Sequence, residues 1–141
     1  MFLYVFSIVL IVTSNVLYHI AQKSTPSRAN PFLALLVTYL TAALLTFVAY
    51  LVSNGGKGLA YSLKELNWTS LALGFSVVGL ELGYILAYRA GWKISVGSLV
   101  ANISLALILI PVGILLFNEE FGVNKLFGAF LCILGLILIN K

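Results

Sequence analysis

Five long apolar runs, at about 2–21, 32–52, 68–90, 95–117 and 123–140, alternate along the chain with short polar connections. At a rise of about 1.5 Å per residue, each can cross a hydrocarbon layer about 30 Å thick as a helix. A helix also satisfies its own backbone polar groups where no water is present. The pattern predicts an all-α fold, an integral membrane bundle of five transmembrane helices in a single membrane domain over 1–141. An odd number of spans puts the termini on opposite sides. No Lys or Arg precedes the first run and no small-residue cleavage site follows it, so it reads as a retained span and not as a signal peptide. The connections carry turn residues: Lys23 to Pro31 holds two prolines, Ser53 to Asn67 is Gly-rich, Gly91 to Ile94 is very tight, and Asn118 to Gly122 includes Glu119 and Glu120. Leu59 to Leu66 predicts a short interfacial turn of helix.

Composition confirms the solvent. Of 141 residues, 62% are hydrophobic and 9% charged, with a mean hydropathy of +1.11, whereas a soluble domain is about a quarter charged. The lipid bilayer is therefore the first partner. With one Cys (Cys132), one His (His19) and no Asp, the chain alone can form neither a disulfide nor a metal site of three or four ligands. No cofactor and no enzymatic activity are expected. The net charge of +4 comes from basic residues spread along the sequence, so no nucleic-acid stripe is present. Gly55, Gly56 and Gly58 around Lys57 lack the spacing of a phosphate-binding loop and read as a turn. Lys23, Arg28, Arg89, Lys93 and Lys141 fall on one side and Lys57, Lys64 and Lys125 on the other. That small bias favours a cytoplasmic C-terminus and leaves insertion in both directions open.

Glu81 is the most informative residue. It lies nine positions before Ala90, about 13 Å below that helix end. A charged acid near a helix centre costs about 3 kcal/mol or more on insertion, so Glu81 should face protein or a wet cavity. Proton binding is one reading, and a hydrogen-bonded glutamate that fixes helix packing is the other. At 100° per residue, Ser76, Gly79, Gly83, Ala87 and Ala90 form a stripe of small side chains expected to pack closely against another helix. Glu81 points nearly the opposite way, with Gly74, Val77, Tyr84 and Tyr88. Tyr88, near the helix end, also fits an interfacial anchor.

The first run carries a complementary polar stripe of Tyr4, Ser7, Asn15, Tyr18, His19 and Gln22, with Ser14 beside it, which is expected to turn inward. His19 fits an interfacial hydrogen bond as well as a proton relay. Measured from the face that carries the first and third connections, Asn15 and Thr38 lie at about 9 Å, Asn102 at about 10 Å and Glu81 at about 13 Å. The expectation is a common mid-membrane cavity bordered by Glu81, Asn15, Asn102 and Ser98, with independent packing hydrogen bonds as the alternative. In the fourth run Pro111 should kink the helix. In the fifth, Gly128, Cys132 and Gly135 make a second small stripe suited to helix contact, and Cys132 reads as a packing residue.

Thr13-Ser14-Asn15, LGYILAYRAG from Leu82 to Gly91, FNEE from Phe117 to Glu120, and LFGAFLCILGLILI from Leu126 to Ile139 together resemble the drug/metabolite transporter superfamily. The order of features is that of a single five-helix repeat of the EamA type. From Tyr84 to Ile139 the chain is also distantly similar to small multidrug-resistance transporters. There are departures: one repeat stands where two are common, Ala106 stands where a proline is frequent, and His19 stands near a frequent lysine. Ile11 occupies the approximate place of the glutamate on which the small multidrug-resistance transporters rely. The resemblance implies half of a two-repeat transporter in a cell membrane, a prokaryotic inner or plasma membrane. Such a half would move a small-molecule substrate as a homodimer or with a similar short partner. Glu81, Asn15, Asn102, Ser98, Tyr84, Tyr88, Ser14, Tyr18 and His19 are the candidate substrate- and proton-binding residues. A non-transporting accessory subunit and half of a lipid-head-group flippase are the alternatives.

Overall fold

Residues 2–53, 59–120 and 122–139 are described by the computed structural model of the protein. The Gly-rich turn from Gly55 to Gly58, with Lys57, lies outside the described residues, as do Asn140 and Lys141. Among the described residues the regular structure is helical throughout: α1 (Phe2–Ser24), α2 (Pro31–Ser53), α3 (Leu59–Lys64), α4 (Trp68–Arg89), α5 (Ile94–Phe117) and α6 (Val123–Ile139). Four of these, α1, α2, α4 and α5, are long and apolar enough to cross a membrane. The fifth expected span forms α6, a shorter apolar helix of 17 residues, about 25 Å long and at the lower end of membrane-spanning lengths. The expected turn of helix after the Gly-rich connection is α3. The chain divides into two compact units, Met1–Ala90 and Gly91–Lys141.

Lipid as solvent explains what is buried. Among the described residues only His19, Leu35, Ile85, Tyr88 and Gly113 are buried, while most Leu, Ile, Val and Phe side chains are exposed. Acyl chains receive aliphatic groups without penalty, so helices here need not hide them from one another. Small hydroxyls settle locally. Thr13, Thr38, Thr41, Thr46 and Ser76 each donate to the carbonyl four residues back, at 2.8–3.0 Å, and so need no neighbouring helix.

In the first unit α4 packs against both α1 and α2. The α1–α4 contact is polar and aromatic at its core. The Tyr88 hydroxyl and His19 Nδ1 are 2.9 Å apart and both residues are buried. His19 also meets Tyr84 edge to face with ring centroids 4.8 Å apart, and Tyr18 meets Tyr84 at 5.8 Å. Arg89 Nη2 donates to the carbonyls of Pro26 (3.3 Å) and Ala29 (2.7 Å), tying the end of α4 to the α1–α2 connection. That connection ends in Asn30, whose side-chain oxygen accepts from the Phe32 and Leu33 amides, with Pro31 at the first helical position. Asn67 caps α4 in the same way through Thr69 N. The Tyr50 hydroxyl donates to Ser62 Oγ at 3.0 Å and joins α2 to α3.

The face by which α4 packs reverses the expectation. A Cβ placed on Gly79 or Gly83 would meet nothing within 4 Å, and Ser76 is exposed. The Glu81, Tyr84, Ile85 and Tyr88 side is the one that meets α1. Long polar and aromatic groups gain more from a partner helix in lipid than glycines do, and they decide the pairing.

In the second unit α5 packs on α6, and α5 runs unbroken through Pro111. Gly113 is buried because the chain returns over it. Asn118 adopts the left-handed conformation at φ 50°, Asn118 N and Glu119 N both donate to the Gly113 carbonyl, and the Glu119 carboxylate lies against the glycine. On α6, a Cβ at Gly128 or Gly135 would meet nothing within 4 Å, so their stripe is not what holds α6 to α5. Gly91 sits at φ +99° in the turn after α4, a conformation costly for any residue with a Cβ.

Two stability tests follow, both read as unfolding in mixed micelles. Tyr88→Phe leaves His19 Nδ1 unpaired and is expected to cost about 1 kcal/mol. The double variant Tyr88→Phe/His19→Phe should cost less than the sum of the singles, and strict additivity would show that the bond contributes nothing. Gly91→Ala should destabilise by about 1–2 kcal/mol, whereas Gly135→Ala, on a helix with open space, should be neutral or stabilising; equal effects at the two sites would contradict the strain assigned to Gly91.

Candidate functional site

Glu81, Tyr84 and Tyr88 recur at spacings of three and four along α4 and so share one face. Glu81 is half-buried near the middle of the helix. Among the described residues nothing hydrogen-bonds its carboxylate. Instead it lies within Coulombic range of two hydroxyls from different helices, Tyr18 on α1 and Tyr39 on α2. The Tyr39 oxygen is buried and has no hydrogen-bond partner among the described residues, an arrangement that costs free energy unless a bound group completes it. Gln22 Nε2 donates to the Tyr18 hydroxyl (3.2 Å) and reaches the Glu81 backbone carbonyl (3.5 Å). The carboxylate therefore sits at a three-helix junction supplied with phenols and an amide.

Beside it runs a groove of about 540 Å³, lined by Tyr39 from α2 and by Ser70, Gly74, Phe75, Val77 and Val78 among the residues of α4. The lining is almost wholly apolar. Gly74 and Val77 lie two turns and one turn before Glu81 on the same face, so the groove leads along the helix toward the carboxylate. Gly74 has open space around it, and a larger side chain there would enter the groove. Such a site can receive the hydrocarbon body of a small molecule in the groove and a proton, cation or hydrogen-bonding group at Glu81.

The expected site residues separate into groups. Tyr18, His19, Tyr84 and Tyr88 come together with Glu81 in the first unit. Ser14 and Asn15 are on α1 as well, but exposed, and Asn15 Nδ2 donates to the Ile11 carbonyl of its own helix at 3.2 Å. The polar stripe of α1 thus turns inward only from Tyr18 to Gln22, because its earlier members are satisfied on their own backbone; Ser7, for example, donates to the Tyr4 carbonyl at 2.9 Å. Ser98 and Asn102 are on α5 in the second unit. There Ser98 is half-buried and donates to the Ile94 carbonyl at 2.8 Å, while Asn102 is exposed.

Tyr39 was not among the residues singled out by sequence. Its signal was available, since it is the only phenol between Pro31 and Ala49 in an aliphatic helix and neighbours Thr38. One aromatic among the four of α2 reads as ordinary packing until its hydroxyl is seen to be buried.

No curated protein and no solved structure matches the chain. A family model, that of the EamA-like transporter family, matches residues 2–141. With this match over nearly its whole length and with four membrane-length helices, the chain is a multi-pass membrane protein and belongs to the EamA-like transporter family.

Proposed function

We propose that the protein moves a small organic solute across a cell membrane by alternating access, with Glu81 as its proton- and substrate-binding residue. The observation that carries this is a carboxylate near mid-helix that receives no hydrogen bond among the described residues. One turn before it on the same face, Val77 lines an apolar groove together with Tyr39, whose buried hydroxyl has no hydrogen-bond partner among the described residues. Protonation would change what the site can hold. The ionised acid favours a cation or a donor, and the neutral acid favours an apolar or empty state. Coupling then follows if proton and solute bind the two access states with different free energy.

In this reading the working unit is a homodimer or a pair with a similar short chain, the two-repeat arrangement that the family resemblance implies. Asn15 and Ser14 are the groups of the first unit proposed to complete the midplane site. The outward stripe of Gly79 and Gly83 supports a second copy approaching α4 closely. The same stripe favours one rival reading, an accessory subunit in which α4 serves assembly alone. The membrane in this proposal is a prokaryotic inner or plasma membrane, with the C-terminus in the cytoplasm.

Proteoliposomes loaded with a metabolite mixture and given an imposed pH gradient separate these readings. Wild type is expected to accumulate at least one solute, and Glu81→Gln to lose gradient-driven uptake by about tenfold or more, as expected when an intramembrane ionisable group is functional, while keeping downhill exchange. Uptake with unchanged pH dependence in Glu81→Gln would remove the coupling role. Tyr39→Phe should lower apparent solute affinity without reducing stability, because its hydroxyl has no partner to lose among the described residues. Equal solute affinity in Tyr39→Phe and wild type would take Tyr39 out of the site. For the dimer, Gly83→Cys in a Cys132→Ser background should cross-link two copies in native membranes, and a purely monomeric pattern would count against a shared pathway.

A further inference from the structure

The groove of the first unit has a notch at the middle of its wall. Ser70, Gly74, Val77 and Val78 of α4 belong to that wall, and at about 100° per residue Ser70 and Val78 lie about 40° to either side of Gly74. Gly74 is therefore the centre of the lining face. The other residues of the lining all carry side chains. A Cβ built on Gly74 would meet nothing within 4 Å, so no close approach within the unit calls for a glycine, and helix propensity disfavours one. What its missing side chain provides is space in the groove.

The charge near the groove has one sign. Among the described residues of the lining there is no charged side chain, and the side chains within Coulombic range of Glu81 from α1 and α2 are the phenols Tyr18 and Tyr39. An anionic solute would meet the carboxylate with no cation in the lining to offset it. A carboxylate that receives no hydrogen bond is best met by a positively charged N–H donor. A primary ammonium supplies both charge and donor, whereas a quaternary ammonium supplies charge alone. From Glu81 to Gly74 is seven residues, about 10 Å along the helix, the length of about eight extended carbon atoms at bonds of about 1.5 Å.

We propose that the groove takes the hydrocarbon body of a primary alkylamine whose ammonium donates to Glu81, and that Gly74 sets the longest body admitted, an assignment that rests on the solute-binding role proposed for Glu81. Gly74 is then a specificity-determining residue that acts by leaving space. A side chain there obstructs a long body at its far end and leaves a short one untouched.

The test uses the full chain in lipid nanodiscs at neutral pH with tritiated n-octylamine and, separately, tritiated n-butylamine, subtracting binding to empty nanodiscs. Wild type should bind both saturably. Octanol, octanoate and octyltrimethylammonium should each compete about tenfold more weakly than octylamine, for want of the charge or the donor. Gly74→Leu should weaken octylamine about tenfold or more, because the new side chain occupies the space of the body, while butylamine, too short to reach it, binds as in wild type. That unchanged binding also shows the variant to be folded. Gly74→Ala should fall between, and Gly128→Leu, placed on α6 where space is also open, should bind octylamine as wild type does. No saturable octylamine binding, equal competition by octanol or octyltrimethylammonium, full octylamine affinity in Gly74→Leu, or losses equal for both amines in Gly74→Leu and Gly74→Ala would overturn the proposal. If octylamine binding is nevertheless lost in Glu81→Gln, the solute-binding role of Glu81 stands without it. Octylamine binding unchanged in Glu81→Gln would overturn both.

Discussion

In hydrocarbon a polar group has no solvent to fall back on, and that constraint arranges the first unit of this protein. Hydroxyls on short side chains can bend back to a carbonyl one turn earlier, and the threonines of α1 and α2 do so. Imidazole, phenol, guanidinium and carboxylate groups extend too far from their own backbone for this solution. Most of those that are paired here are met by another helix or by the connection between helices, whereas the Glu81 carboxylate and the Tyr39 hydroxyl receive no hydrogen bond among the described residues. The contacts joining α1 to α4 are accordingly His19 with Tyr88, Tyr18 with Tyr84, and Gln22 with the Glu81 carbonyl. Arg89 is met by the loop that leads from α1 into α2.

The same constraint explains why glycine spacing misled where polar spacing did not. A small-xxx-small stripe permits close approach but does not require it, because a glycine left against lipid carries little penalty. A tyrosine or histidine without a partner carries a large one. When both occur on opposite faces of α4, the polar face takes the helix available within the unit, and Gly79 and Gly83 are left outward. They form a surface that accommodates a neighbour without being needed for the unit's own packing.

The helical fold class and the positions of the apolar runs were legible because length and hydropathy are properties of the chain read in order. The end of α1 was less so. The pattern places it near Ala21, yet the helix continues to Ser24, since Gln22 and Lys23 gain contacts with α4 that hydropathy does not register. The Glu81, Tyr84 and Tyr88 face was legible from helical periodicity, whereas its packing against Tyr18 and His19 was not, because the small-residue stripe on the other side was read as the packing face. Tyr39 was hidden, because nothing in an aliphatic run says which way a phenol turns.

An accounting at Glu81 favours a functional reading of the acid. Inserting it costs about 3 kcal/mol or more, and the interactions nearby do not offset that cost at the carboxylate itself. The His19–Tyr88 bond and the edge-to-face rings, each worth about 1 kcal/mol, would persist with leucine or glutamine at 81. So would the bond from Gln22, which reaches the backbone carbonyl and not the side chain. Packing therefore gives no reason for an acid at this position, while the groove and the unpartnered Tyr39 hydroxyl beside it give a chemical one. A group that the fold tolerates at a net cost, one helical turn from Val77 in the wall of a groove, fits the binding role proposed for it.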